Sequence, residues 1–302
     1  MKRGGGASQG ESLAVWATWA VVLGAIFATY WRLPPDTPDA TDDLYHVSGN
    51  GPIGGLSRVL VELNFPVALV AIVVVLVAMD ALPRRAWMVA GPAIALAAVV
   101  AWPDVVDQDD LDARVVNAVP ALGVALAVGL TVAAARRTGW DVAGRLPLDT
   151  ARLVVAVALL FLSIPWIAAD IGFFLPEGVF VMRRVAPDTD GVPIAAVHLG
   201  QHHGFDGALV ATSALLLSRP LLRAGKTATV TLALISLAFA YGVVNCVQDA
   251  WNEQLAKRGT LDWKIPSAIH PSLTWIWLAI LVLAALTALA LRREARRVDS
   301  PT

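Results

Sequence analysis

Residues 65–85 read FPVALVAIVVVLVAMDALPRR, an apolar run that ends in a proline and two arginines. A helix needs about 20 mostly apolar residues to cross a bilayer, and its backbone polar groups must be satisfied internally. The stretch therefore predicts a membrane-spanning helix. Pro83 would stop that helix, because proline has no N–H to donate to the preceding turn. Arg84 and Arg85 indicate that this end lies in the cytoplasm.

The rest of the chain has the same apolar character. Of the 302 residues, 57% are hydrophobic and 16% are charged, whereas about a quarter of the residues in a soluble domain are charged. We predict an all-α fold, a polytopic transmembrane helical bundle of about eight spans. The third predicted span is short. The spans are residues 13–31, 65–82, 86–102, 115–135, 152–175, 194–219, 227–249 and 271–291.

The net charge argues against nucleic-acid binding, and the cysteine content excludes features that need several cysteines. The net charge is −1, so no basic field favours nucleic acid, and we expect no nucleic-acid partner. Cys246 is the single cysteine, which excludes an intramolecular disulfide and a zinc site built from cysteines. The first partner that we expect is the lipid bilayer.

The loops predict the orientation. Most arginines and lysines fall in one set of loops, which is therefore cytoplasmic, together with both termini. The other set is long and acidic, and it would face outward from a multi-pass protein of the cell (plasma) membrane. Its loops are residues 32–64, 103–114, 176–193 and 250–270.

We expect a single structural unit between two tails. Residues 1–12 are rich in Gly and Ser and predict a disordered N-terminal tail. Residues 13–292 form one transmembrane bundle with long acidic extracytoplasmic loops, and residues 293–302 form a short cytoplasmic tail. The first apolar segment is too long for a typical signal peptide, so we interpret it as a retained helix.

Three of the five histidines lie in one stretch, residues 198–207, which read HLGQHHGFDG. On a helix over 194–219, His198, His202 and Asp206 would share one face, since positions four apart stack. Imidazole nitrogen and carboxylate oxygen are ligands of zinc and related divalent metals. We predict that these three residues bind a divalent metal, most plausibly zinc. A metal-free polar pocket is the alternative.

The next span carries a second polar series at the same depth, comprising Tyr241, Asn245, Asp249 and Glu253. Asp249, or His270 at the start of the last span, could complete the metal's ligands. The alternative is that Asn245 and Asp249 cap or hydrate a helix end. His203 would point away from His202, and it is a candidate acid/base together with Asp170.

These patterns lead to one principal functional hypothesis. We predict an outward-facing His/Asp site that binds a divalent metal and activates water to hydrolyse a lipid-linked or exported substrate. The first alternative is a transporter of a cation or small solute. The second is a non-enzymatic membrane subunit that docks an extracytoplasmic protein through its outer loops.

Overall fold

The computed structural model describes residues 8–32, 51–102, 105, 113–171, 182–187, 193–197, 203–221 and 228–299. This part of the chain is mostly helical, which confirms the predicted helical bundle. Five segments are long and apolar enough to cross a membrane, and a bent pair of helices would make six. The five are Gly10–Arg32, Arg84–Ala101, Val115–Thr138, Thr229–Ala256 and Trp275–Val298.

The described ranges contain ten α-helices and one pair of strands. The strands are β1 (Met182–Pro187) and β2 (Pro193–Val197), and they pair antiparallel. The helices are α1 (Gly10–Arg32), α2 (Gly51–Asn64), α3 (Pro66–Met79), α4 (Trp87–Ala97), α5 (Ala118–Thr138), α6 (Asp149–Leu162), α7 (Ile164–Asp170), α8 (His203–Leu221), α9 (Ala228–Trp251) and α10 (Trp275–Asp299).

Three predicted spans differ from the structure. The second is part of a pair, α2 and α3, that bends by 49°, and α2 occupies the end of a predicted outer loop. The fifth is divided between α6 and α7. The sixth was expected to begin at residue 194, but residues 193–197 form β2 and α8 begins at His203. The prediction of a helix over 194–219 is therefore wrong at residues 194–197, and His198 and His202 lie outside the described residues.

Helix α3 lies at the centre of the bundle. It is apolar on all sides, as expected of a helix with no solvent-facing surface, and it packs against α4, α5 and α8. Only Leu69 and Ile72 are not fully buried among its residues. Pro66 occupies its first turn, where a missing N–H costs nothing.

Two glycines bring α8 and α9 into close contact. A Cβ atom on Gly207 would lie 2.6 Å from the carbonyl oxygen of Gly242, and one on Gly242 would meet the Gly207 carbonyl oxygen. Small residues allow helix backbones to approach in this way, and the close packing is a main source of helix association in membranes. The contact fixes the antiparallel register of the two helices.

A buried ion network closes one end of the bundle, which we call the inner end because the arginine-rich segments lie there. Arg219 contacts Glu11 at 3.3 Å and Asp149 at 2.9 Å. Arg152 binds Glu294 through two hydrogen bonds of 2.9 and 2.6 Å. The network thus ties together the start of α1, the start of α6, and the ends of α8 and α10.

Candidate functional site

The beginning of α8 is held by a side chain of the neighbouring helix. The backbone N–H of Gly204 donates a hydrogen bond of 2.8 Å to Oδ2 of Asp249, which is on α9. The first N–H groups of a helix have no partner within the helix, and they attract negative charge. Asp249 therefore caps a helix, as one of our alternatives proposed, but the helix is α8 and not its own.

Trp166 of α7 completes this contact. A Cβ atom on Gly204 would lie 2.6 Å from Cζ3 of Trp166 and 2.8 Å from Oδ2 of Asp249. Only glycine fits between the indole and the carboxylate. Gly204, the first glycine of HHGFDG, is therefore required because α7 and α9 both approach the start of α8 closely.

Asp206 lies in the first turn of α8 and is only 3% exposed. The next residue, Gly207, packs against α9, where a Cβ atom on it would lie 3.0 Å from Cβ of Asn245. Asn245 is buried and donates a hydrogen bond of 2.9 Å to the backbone carbonyl of Tyr241. Asp206 and the predicted polar series on α9 are thus neighbours inside the bundle.

Helix α2 contributes a second buried polar face. Arg58 and Glu62 are 2% and 1% exposed, and they are four residues apart. The guanidinium carbon of Arg58 lies 4.8 Å from the centroid of the Tyr30 ring. Three residues beyond Glu62, the Phe65 ring contacts the Tyr241 ring at a centroid distance of 5.9 Å. Since residues spaced by four and three share a helix face, this face of α2 extends from Tyr30 towards Tyr241.

The antiparallel packing of α1 and α8 places Tyr30 level with His203. Trp19 donates a hydrogen bond of 3.1 Å from Nε1 to Oγ of Ser213. A helix rises 1.5 Å per residue, so Tyr30 lies about 16 Å beyond Trp19, and His203 lies about 15 Å beyond Ser213 in the same direction. Polar side chains from four helices therefore lie towards the same end of the bundle. We call them the outer polar layer, which comprises Tyr30, Arg58, Glu62, His203, Asp206, Tyr241, Asn245 and Asp249.

The structure describes only part of the predicted site. His198 and His202 lie outside the described residues, as does the side chain of Asp170, whose backbone ends α7. His203 is the first residue of α8 and is half-buried. His270 is exposed and lies on the other side of Tyr241, at the cavity described below.

Sequence reasoning missed Arg58 and Tyr30. Residues 51–64 were assigned to an outer loop because of their glycines and polar side chains. The useful signal was the spacing of Arg58 and Glu62 in an otherwise apolar run, since opposite charges four residues apart are typical of a helix. Two buried charges of opposite sign in such a run indicate a polar face inside the bundle.

The described part of the outer polar layer has more carboxyl groups than basic groups. Its carboxylates belong to Glu62, Asp206 and Asp249, and its guanidinium belongs to Arg58. No three His, Cys, Asp or Glu side chains in the described ranges form a group that could hold a metal ion. A metal at this level would therefore need at least one ligand from outside the described residues, where His198 and His202 lie.

An apolar cavity of about 750 Å³ lies beside this layer. Tyr241 belongs to both, because it lines the cavity and its carbonyl oxygen accepts a hydrogen bond from Asn245. The cavity lies between α3, α9, the residues that follow α4 and the beginning of α10. Its lining residues are Phe65, Leu69, Ile72, Val73, Val100, Ala101, Trp102, Leu234, Leu237, Ala238, Tyr241, Ile269, His270, Pro271 and Trp277.

Side-chain hydrogen bonds fix the segment that forms the outer wall of the cavity, between α9 and α10. Asn252 donates to the carbonyl of Ile265 at 3.0 Å and accepts from its N–H at 2.9 Å. Further along the segment, the Tyr241 hydroxyl donates to the carbonyl of Ile269 at 3.3 Å. Trp277 Nε1 donates to the carbonyl of His270 at 2.6 Å. The wall is thus held in place without regular secondary structure.

Comparison with known proteins gives no family to which the chain can be assigned: no family model, no curated protein and no solved structure matches it. Its function has to be inferred from its own geometry.

Proposed function

We propose that this integral membrane protein binds a divalent metal, most plausibly zinc, in the outer polar layer and uses it to hydrolyse a lipid-linked or exported substrate. The observation that carries the proposal is the pair of buried carboxylates, Asp206 and Asp249, which lie on adjacent helices beside His203. A buried carboxylate inside a membrane is costly and is normally retained for a partner or a function.

Three buried carboxyl groups beside a single guanidinium are consistent with a cationic partner. A carboxylate is costly to bury in its charged form, and a divalent cation beside Asp206 would stabilise that form. Histidines are the usual companions of carboxylates in zinc sites. His198 and His202 precede α8 by a few residues, so a turn of the chain can bring them to the level of Asp206.

The structure suggests a division of roles. We propose His198, His202 and Asp206 as metal ligands, with Glu62 as a further candidate. One carboxylate oxygen of Asp249 already holds the start of α8, so we propose that Asp249 positions Asp206 and His203. His270 is separated from the layer by Tyr241, and it is a weaker candidate ligand than the sequence suggested.

Hydrolysis would follow from a metal with an open coordination position. Such a metal lowers the pKa of bound water to about 7 and generates a nucleophile at neutral pH. His203 is half-buried at the mouth of the layer, where it could accept or return a proton. Asp170 ends α7, the helix whose Trp166 packs on Gly204, and it remains the second candidate acid/base.

Transport has less support from the geometry. A transporter site usually lies near the membrane midplane, with access from both sides in turn. Here the inner end is closed by ion pairs that join Glu11, Asp149, Arg152, Arg219 and Glu294. Polar groups in the described residues concentrate instead near the opposite end of α8 and α9.

Metal analysis of the purified protein tests the proposal. We expect about one zinc ion per chain after metal loading and removal of excess, and a large loss of zinc in His202→Ala and Asp206→Asn. Asp80→Asn is the matched control, because Asp80 is a carboxylate at the other end of a span, and it should keep its zinc. A wild-type protein without stoichiometric metal, or equal metal in all variants, would refute the proposal.

A further inference from the structure

The cavity next to the outer polar layer has the size and lining of a ligand site. Its volume of about 750 Å³ lies within the range of roughly 300–1,000 Å³ for small-molecule pockets. Its walls are aliphatic and aromatic side chains, without a carboxylate, lysine or arginine. A charged group inside the cavity would have no partner of opposite charge among the described lining residues. The part of a ligand that enters the cavity must therefore be apolar.

The few polar groups of the cavity are already engaged or lie at its edge. The Tyr241 hydroxyl donates to Ile269, and the Trp277 indole N–H donates to the carbonyl of His270. The imidazole of His270 belongs to an exposed residue. The interior therefore offers shape and apolar surface but no hydrogen bonds that would orient a small polar molecule.

The edge of the cavity has the residues of a membrane interface. Trp102 is 69% exposed, and Trp277 stands near it at the beginning of α10. Tryptophans concentrate where the lipid headgroups meet the hydrocarbon core. A cavity that opens at this level is accessible to a molecule whose polar end lies at the interface and whose chain extends inward.

Tyr241 connects the cavity to the proposed metal site. Its ring lines the cavity, while its backbone carbonyl accepts a hydrogen bond from Asn245 of the polar layer. The Tyr241 ring also lies 6.0 Å from that of Trp277 at the edge, so a molecule with its chain in the cavity would place its polar end beside Tyr241. The arrangement separates apolar binding from polar chemistry on the two sides of one residue.

We infer that the cavity binds the hydrocarbon chain of a lipid-linked substrate and holds the bond to be cleaved at the outer polar layer. The inference rests on the proposed function, and it selects the lipid-linked substrate over a soluble exported one. The long chain supplies binding through burial of its methylene groups. The headgroup is then recognised by the layer and not by the cavity.

A photoreactive long-chain alcohol is a suitable probe, because it carries the chain without a specific headgroup. In the wild-type protein in lipid vesicles, we expect crosslinks to concentrate on peptides that line the cavity, such as those containing Leu234 or Ile269. Excess unlabelled long-chain alcohol should compete. Bulk lipid would give crosslinks that are spread evenly over the exposed faces of all helices. That pattern in the wild-type protein would overturn the inference.

A matched pair of variants gives the second test. Ala238→Trp fills the cavity, whereas Ala285→Trp adds the same indole to the exposed face of α10. We expect a several-fold loss of cavity crosslinking in the first variant and none in the second. Equal crosslinking in both would overturn the inference.

Zinc content measured in the same samples separates the two proposals. Ala238→Trp should keep its zinc while it loses the crosslink. If zinc stays at the wild-type level and no sample shows a cavity crosslink, the site for the hydrocarbon chain is refuted and the metal site is not. Saturable cavity crosslinks in a protein that binds no zinc would refute the hydrolase and leave the chain site in place.

Discussion

Asp249 accepts a hydrogen bond of 2.8 Å from the backbone N–H of Gly204, so that a carboxylate on α9 caps the beginning of α8. The bond fixes the position of the stretch that contains His203 and Asp206. It also couples the stability of the helix pair to the geometry of the proposed site.

Replacing Asp249 by Ala removes the acceptor and leaves a buried N–H without a partner. We expect the free energy of unfolding in detergent micelles to fall by about 1–2 kcal/mol. Asp249→Asn keeps an oxygen acceptor and should lose less. Asp262→Ala removes an exposed carboxylate and serves as the control. An Asp249→Ala protein as stable as this control would show that the cap contributes nothing.

A second prediction concerns the contact between α8 and α9. Gly207→Ala would place a methyl group 2.6 Å from the Gly242 carbonyl oxygen, so the helices must move apart. We expect a loss of about 1–3 kcal/mol in unfolding free energy, as for other overpacked sites. Gly129→Ala in α5 adds the same methyl group to open space, and it should be neutral or slightly stabilising. Equal stabilities of the two variants would contradict the close packing.

The inner ion network makes a third prediction. Glu294→Gln leaves Asp149 as the one counter-charge that the buried guanidinium of Arg152 has among the described residues. We expect a loss of about 3 kcal/mol in unfolding free energy, because breaking a buried pair leaves uncompensated charge. Arg293→Gln, an exposed neighbour, should change little.

The double variant Arg152→Met with Glu294→Met sharpens this test. Replacing both members of a buried pair by apolar side chains often restores stability. We therefore expect the double variant to be more stable than Glu294→Gln. A further loss of stability in the double variant would mean that the pair has a net stabilising role.

The orientation in the membrane can be tested with single cysteines in a Cys246→Ser background. Trp140 follows α5 at the inner end, and Trp263 lies in the segment between α9 and α10; both are more than half exposed. A membrane-impermeant maleimide should label Trp263→Cys in intact cells. It should label Trp140→Cys only after permeabilisation. The reverse pattern would invert the proposed orientation and place the polar layer in the cytoplasm.

The sequence predicted the helices well where the apolar run was long. Each of the eight predicted spans overlaps a helix of the structure, although the described residues contain five or six segments that could cross a membrane. A long run such as 115–135 is a helix throughout its apolar part, because it has no stable alternative in lipid. Helix α2 was missed because Ser57, Arg58, Glu62 and Asn64 give it the composition of a loop. Its polar face is buried by tertiary packing against α1, and local composition does not reveal such packing.

The predicted start of the sixth span was wrong for a different physical reason. Residues 193–197 are a short apolar run, and periodicity alone does not distinguish a strand from a helix in such a run. The predicted pairing of Asp206 with the polar series on α9 is supported by the close packing of the next residue, Gly207, against Gly242 and Asn245. The cap by Asp249 and the cavity behind Tyr241 depend on how neighbouring helices pack, and neither was predicted.

X-ray absorption at the zinc edge of the zinc-loaded wild-type protein tests the central claim most directly. The account predicts a first shell of nitrogen and oxygen at about 2.0–2.1 Å, with the multiple scattering that imidazole ligands produce. It also predicts no sulfur, since Cys246 is the only cysteine and lies buried in α9. A spectrum without imidazole, or a protein that retains no zinc, would contradict the metal site in the outer polar layer.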